Sequence, residues 1–82
     1  MLPSNLNNQM PLDVELCVNS VADLGAAIRK RRQEAGLPLA IAAPSCGVSV
    51  KFLQALETGK PTVQFDKALS VARQFGIRLV IA

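Results

Sequence analysis

Apolar residues recur along this chain in four segments, and each segment ends just before a glycine. The glycines lie 11, 12 and 17 residues apart, at Gly36, Gly47, Gly59 and Gly76. Glycine readily adopts the left-handed conformation that often ends a helix. Within each segment the apolar residues lie three and four positions apart, which is typical of an amphipathic helix. The pattern therefore predicts four helices, over residues 21–35, 38–46, 49–58 and 65–75.

The same spacing predicts which side chains face inward. The expected inward residues are Val21, Leu24, Ile28 and Ala35 in the first helix, Val48, Phe52, Leu53 and Leu56 in the third, and Phe65, Leu69, Ala72 and Phe75 in the fourth. Serines precede two of these helices and are favoured N-cap residues. We expect Ser20 to form a short capping box with Asp23, and Ser49 to cap the third helix.

The two ends of the chain lack helical periodicity. Residues 1–12 are rich in Asn and Pro, which predicts a flexible tail, and residues 13–18 weakly favour a short strand. Together they form an N-terminal arm, residues 1–19. The C-terminal segment 77–82 is short and β-branched, which predicts a strand. The domain itself is expected over residues 20–76.

Two short helices joined by a tight glycine turn are typical of a helix-turn-helix. The spacing alone fits any four-helix mini-bundle equally well. The predicted fold class is all-α, a compact domain of four to five helices with a short C-terminal strand. A chain of 82 residues buries only a modest core, so we expect a partner or a second subunit.

The composition excludes several classes of protein. The chain has no His, so a His-based catalytic triad, a His-ligated metal and a haem are excluded. Cys17 and Cys46 form no CxxC pair, and no nucleophile–base pair or carboxylate site is visible. We therefore expect no enzyme activity, no metal and no cofactor. With no secretion signal and no long apolar run, we expect a cytoplasmic protein without a membrane segment.

The charge is unevenly distributed. Residues 1–28 carry three acids and no base, whereas residues 29–82 carry all nine Lys and Arg residues and three acids, a net charge of +6. Such a basic domain fits a polyanion such as nucleic acid. The alternative is that the charge serves solubility alone.

Three stretches carry a resemblance to a known family: LGAAIRKRRQEAGL at 24–37, GVSVKFLQALETGKPT at 47–62 and FDKALSVARQFGIRLVI at 65–81. On these motifs residues 23–82 resemble the phage-repressor-like helix-turn-helix family, and within it the HipB-type antitoxins. The resemblance implies a homodimeric repressor that binds double-stranded DNA at an inverted repeat. It also implies a HipA-type kinase toxin as a protein partner.

The resemblance implies that the third helix enters the DNA major groove at its N-terminal end. The residues expected to contact DNA from this helix are Ser49, Val50, Lys51, Gln54 and Ala55. Lys51 can donate to guanine, Gln54 can read adenine, and Val50 can touch a thymine methyl. Gly59 and Lys60, after the helix, are expected to present a backbone N–H and an ammonium to a phosphate. Arg29, Lys30 and Arg31 are interpreted either as phosphate contacts or as solvated charges.

Arg32 and Glu57 each lie four residues after an inward residue, beside an apolar face. Charges rarely occupy such positions unless they are paired. The resemblance implies a salt bridge between them that ties the first helix to the third.

The second helix departs from the family pattern. Pro38 and Leu39 stand where the family usually has Thr-Gln, a cap and a phosphate contact. Pro44 lies inside the predicted helix, so we expect a kink or a tightening after Ala43. These departures favour a second hypothesis, a protein-interaction module whose helix-turn-helix scaffold has lost strong DNA binding.

The C-terminal strand is expected to mediate dimerisation through Ile77, Leu79, Val80 and Ile81. An apolar strand with an open edge invites pairing. The same strand of a second subunit, paired antiparallel, satisfies that edge, as the HipB resemblance implies. The alternative is a pair within the chain, with residues 14–18.

Overall fold

The computed structural model describes residues 14–61 and 64–81 as four α-helices and two β-strands. In chain order they are β1 (Val14–Val18), α1 (Val21–Glu34), α2 (Leu39–Ser45), α3 (Val50–Glu57), α4 (Phe65–Gln74) and β2 (Ile77–Ile81). All four predicted helices are confirmed, each within one residue at either end, and the fold is a small all-α helix-turn-helix domain. The predicted flexible tail, residues 1–12, lies outside the described residues.

Serine caps set the starts of α1 and α3. Ser20 Oγ accepts a hydrogen bond from the backbone N–H of Asp23 at 3.2 Å. In a capping box the Asp23 carboxylate would accept from the backbone N–H of Ser20, the N-cap residue. Here Asp23 Oδ2 accepts instead from the N–H of Asn19, at 3.0 Å. Ser49 Oγ accepts from the N–H of Phe52 at 3.0 Å. Both predicted caps are confirmed.

The core lies between the helices and is sealed on one side by β2. Its fully buried large side chains are Leu24, Ile28, Leu53, Leu56 and Val71. The predicted inward face was correct for α1 and α3 at these positions, but Ala35 is exposed because the chain turns away at Gly36.

The inward face predicted for α4 is confirmed at Ala72, which is buried, and at Phe75, which packs against the core, but it was wrong at Phe65. Phe65 is 52% exposed, and the buried residues are Ala68, Val71 and Ala72. Two of these three are alanines, whose small side chains allow α4 to lie close to the core. The larger Phe65 and Leu69 dominate the apolar pattern, yet they lie on the flank of the helix.

α1 and α3 approach each other at Gly25. A Cβ added at Gly25 would overlap the carbonyl oxygen of Leu56, and it would lie 2.9 Å from the Leu56 carbonyl carbon and 3.1 Å from Glu57 Cα. The backbone of α3 therefore occupies the space that any other residue at position 25 would need. A glycine inside α1 is required by this contact, because glycine weakens a helix otherwise.

The two strands form a parallel pair within the chain, with Val14 opposite Ile77 and Val18 opposite Ile81. The expectation that β2 lacks a partner in its own chain was wrong, and the alternative pairing with residues 14–18 is confirmed. Parallel strands need a long crossover, and all four helices lie between these two. Ile77 is 2% exposed and belongs to the core, whereas Val80 on the opposite face is 44% exposed.

Within the described residues, no single helix is long and apolar enough to cross a membrane. Only α2 and α3 together reach that length and composition, and they are sharply bent with respect to each other.

Gly25→Ala is expected to destabilise the domain by about 2 kcal/mol or more, because the added methyl group overfills the α1–α3 contact. Helix propensity alone predicts the opposite sign, a gain of about 1 kcal/mol. Urea unfolding followed by circular dichroism measures the change. The exposed neighbour provides the control, since Ala26→Gly should cost only about 1 kcal/mol. A stabilised Gly25→Ala variant would contradict the close approach.

Candidate DNA-binding surface

α2 and α3 meet at an angle of 104°, within the range of about 90–120° that helix-turn-helix pairs adopt. The turn between them contains Gly47, whose φ is +73°. The N–H of Gly47 donates to Pro44 O and that of Val48 to Ala43 O, both at 3.0 Å. A Cβ on Gly47 would meet nothing within 4 Å. The glycine is therefore required by the backbone conformation and not by space.

α3 presents a polar face to solvent and an apolar face to the core. Leu53, Leu56 and Glu57 are buried. The opposite face consists of the residues predicted to contact DNA: Ser49, Val50, Lys51 and Gln54 are exposed, and Ala55 is half-buried. One exposed surface therefore carries an ammonium, an amide and an apolar branched side chain, the groups that read guanine, adenine and the thymine methyl.

Lys60 follows α3 and offers only its side chain. Its backbone N–H donates to Ala55 O at 3.0 Å, and the N–H of Gly59 donates to Leu56 O at 3.0 Å. These bonds close the C-terminal end of α3 in the usual glycine-ended pattern. The expectation that Gly59 and Lys60 offer a free backbone N–H to a phosphate was wrong, whereas the side chain of Lys60 is exposed.

The two arginines predicted as phosphate contacts occupy different environments. Arg29 is exposed, and it lies four residues after Gly25 on the flank of α1 that approaches α3. Arg31 is partly buried, and its Nε donates to the carbonyl oxygen of Phe75 at 2.8 Å. Phe75 caps the C-terminal end of α4, where a cation is favourable. Arg31 thus joins α1 to α4.

The predicted pair of Arg32 and Glu57 is present. Arg32 Nε donates to Glu57 Oε2 at 2.6 Å and Nη2 donates to Oε1 at 2.8 Å, while Nη1 donates to Leu37 O at 2.8 Å. The two side chains are only 11% and 4% exposed. The hydrogen bond with Glu57 raises the pKa of Arg32 above its ordinary value. Through these three hydrogen bonds the Arg32 guanidinium ties α1 to α3 and also holds the segment leading into α2.

α2 lacks the usual polar anchors at its start. Pro38 is its N-cap residue and makes no side-chain capping bond. The chain carries no charged residue between Glu34 and Lys51, and Ile41 on α2 is 54% exposed. α2 therefore presents an uncharged surface where the first helix of such a motif crosses the DNA backbone.

Pro44 is accommodated in the last turn of α2. The N–H of Cys46 donates to both Ala42 O and Ala43 O, at 3.1 and 3.0 Å. This shared bond marks a tighter last turn, but the same pattern ends α4 at Phe75, so it is not specific to the proline. Ser45 Oγ also donates back to Ile41 O at 3.0 Å.

Phe52 and Lys67 form a contact that the sequence analysis did not anticipate. The Nζ of Lys67, in the first turn of α4, lies 5.9 Å from the centre of the Phe52 ring in α3. This distance falls within the range of a cation–π interaction. The only signal for this contact in the sequence is the position of Lys67 near the start of a predicted helix, where the helix dipole disfavours a cation.

Neither cysteine has the environment of a reactive or metal-binding thiol pair. Burial raises the pKa of the Cys46 thiol, which makes it a poor nucleophile. Cys17 is exposed on β1. No three His, Cys, Asp or Glu side chains of the described residues are grouped so that they could hold a metal ion.

The angle between α2 and α3, the glycine turn and the exposed polar face of α3 define a helix-turn-helix domain. No protein-family model matches the chain. The chain is 38% identical over 64 residues to y4mF, an uncharacterized HTH-type transcriptional regulator of Sinorhizobium fredii (strain NBRC 101917 / NGR234). The match covers 78% of this chain and 84% of that protein. The chain belongs to the family of HTH-type transcriptional regulators.

Glu57→Gln is expected to lower the free energy of unfolding by about 3 kcal/mol, because it leaves the buried Arg32 guanidinium without its counter-charge. Thermal and urea unfolding measure the loss. The control is Glu34→Gln, which neutralises an exposed carboxylate of α1 and should change stability little. If both substitutions lowered the free energy of unfolding equally, the Arg32–Glu57 pair would contribute no more to stability than an exposed carboxylate does.

Proposed function

We propose that this protein is a sequence-specific repressor that binds an inverted-repeat operator in double-stranded DNA. The observation that carries the proposal is the exposed face of α3, where Lys51 and Gln54 stand beside Val50. The opposite face of α3 is locked to α1 by the Arg32–Glu57 pair, so these side chains project from a fixed support. A rigid support favours the reading of base edges. We propose the cytoplasm as its place of action.

Phosphate contacts would come from residues around α3. The exposed side chains of Lys60 and Arg29 suit this role, because neither is engaged in an internal ion pair among the described residues. Ser49 caps the N-terminal end of α3. In the proposed complex a DNA phosphate lies beside this end, and the backbone N–H groups of the first turn of α3 face it.

We propose that the protein acts as a homodimer through the surface around β2. A two-stranded sheet is marginal by itself, and each of its strands has an outer edge to which no other described strand bonds. Val80 is 44% exposed on the outer face of β2. The half-buried Leu79 lies on the inner face, where it lines two neighbouring grooves together with Leu69. A second copy whose strand paired with the open edge of β2 would extend the sheet and cover Val80. Ile77 takes no part, since it is buried in its own core, and the side chain of Ile81 lies outside the described part of the chain.

The finer proposal is that the repressor is the antitoxin of a HipA-type kinase toxin encoded in the same operon. Its support is the resemblance of residues 47–62 and 65–81 to HipB-type antitoxins. Co-expression with the product of the neighbouring gene tests it. A stable complex that relieves the kinase's toxicity is expected, and a neighbour unrelated to kinases would contradict it.

A second candidate function is a protein-interaction module with weak DNA binding. The uncharged surface of α2, with Ile41 54% exposed, favours it. The two candidates differ in the binding of DNA from upstream of the gene. A repressor binds that DNA tightly and with a steep dependence on salt, whereas an interaction module does not.

Lys51→Ala is expected to weaken operator binding by about 1–3 kcal/mol and to relax the preference at one base pair in each half-site. Fluorescence anisotropy with a panel of single-base operator variants measures both effects. Lys60→Ala is the matched comparison, because losing a phosphate contact should weaken binding to all sequences equally. If Lys51→Ala bound the best operator as tightly as the unchanged protein does, the proposed role of α3 would be wrong.

Val80→Lys is expected to shift the dimer toward monomers, because it places a charge in the apolar surface around β2. Sedimentation equilibrium measures the dissociation constant, and circular dichroism checks that the fold persists. Ile41→Lys is the control, since Ile41 is also an exposed apolar residue but lies on α2, away from the proposed interface. A dimer unaffected by Val80→Lys would overturn this interface.

A further inference from the structure

The first turn of α4 places a lysine beside α3. Lys67 is exposed and its ammonium lies 5.9 Å from the centre of the Phe52 ring. The helix dipole disfavours a cation at this end of α4. The stability of α4 therefore gives no reason for a lysine here, whereas its contact with α3 does.

Phe52 lies at the boundary between the core and the exposed face of α3. It is half-buried and packs against the core, so its ring is held in place. Ala55 lies four residues after Lys51 and three residues after Phe52. The three residues therefore lie along one flank of α3. Because Ala55 is small and half-buried, its side chain covers little of this flank.

We propose that the Phe52 ring holds the Lys67 ammonium beside α3, and that Lys67 contacts a DNA phosphate at the edge of the groove that α3 enters. The inference rests on the proposed DNA-binding function and adds to it a positioning residue, Phe52, and a phosphate contact from a different helix. A ring below an ammonium leaves its N–H donors free on the other side. The lysine is thereby pre-ordered, so less side-chain entropy is lost when it meets the phosphate.

The first test is the salt dependence of operator binding. In Lys67→Gln the slope of log K against log salt should fall by about 0.9 per protomer, the value for one lost phosphate contact. The affinity should fall equally for operator and unrelated DNA. The control is Lys30→Gln, which removes the same charge from the face of α1 opposite Leu24 and Ile28 and should leave the slope unchanged. An unchanged slope in Lys67→Gln, or an equal fall in both variants, would overturn the phosphate contact.

The second test separates positioning from general stability. Phe52→Leu keeps an apolar side chain but removes the ring, whereas Phe52→Tyr keeps the ring. We expect Phe52→Leu to weaken DNA binding when Lys67 is present and to have no further effect in the Lys67→Gln background, and Phe52→Tyr to bind like the unchanged protein. Binding is compared at a temperature where circular dichroism shows every variant to be folded. Equal losses from Phe52→Leu in both backgrounds would overturn the positioning role.

These outcomes are distinguishable from a failure of the proposed function. If the unchanged protein binds its upstream DNA with a steep salt slope and Lys51→Ala weakens that binding, the repressor proposal stands whatever Lys67 does. If the unchanged protein shows no salt-dependent DNA binding, both the repressor proposal and this inference are overturned.

Discussion

The contact between α1 and α3 is the constraint on which the rest of the structure depends. At Gly25 the backbones approach so closely that a methyl group would not fit beside Leu56 and Glu57. Two turns further along α1, Arg32 and Glu57 form a buried, two-pronged ion pair. The glycine sets the distance between the helices, and the ion pair penalises any sliding that separates its charges. Both contacts lie at the C-terminal end of α3, which is thus held by one helix.

The two faces of α3 therefore have different roles. Because Leu53, Leu56 and Glu57 are buried on one face of α3, the opposite face, which carries Lys51 and Gln54, is exposed. Lys51 and Gln54 therefore need no internal partner and remain available to a ligand. The same ion pair reaches α2, since Arg32 also donates to the Leu37 carbonyl oxygen. The angle between α2 and α3 is consequently supported from α1 and does not depend on the turn alone.

The sequence predicted the helices well because their signals are local. Glycine ends, serine caps and apolar spacing act within one or two turns, and Ser20, Ser49 and Gly47 behave as expected. The face of α4 was misjudged at Phe65, which is exposed although it is much larger than the buried Ala68. The partner of β2 was misjudged because strand pairing joins residues at opposite ends of the chain, for which periodicity gives no signal. The contact of Phe52 with Lys67 was missed for the same reason, since it joins two helices.

The lack of charge in α2 changes where backbone affinity must arise in the proposed complex. No charged residue lies between Glu34 and Lys51, so α2 can supply neither a cation nor a charged cap to a phosphate. Affinity for duplex DNA depends largely on the number of phosphates that are neutralised. The exposed basic residues available outside α3 are Arg29 on α1, Lys60 after α3, and Lys67 in α4, beside Phe52 of α3. They lie on three different segments of the chain, so in the proposed complex the affinity for the DNA backbone arises outside α2.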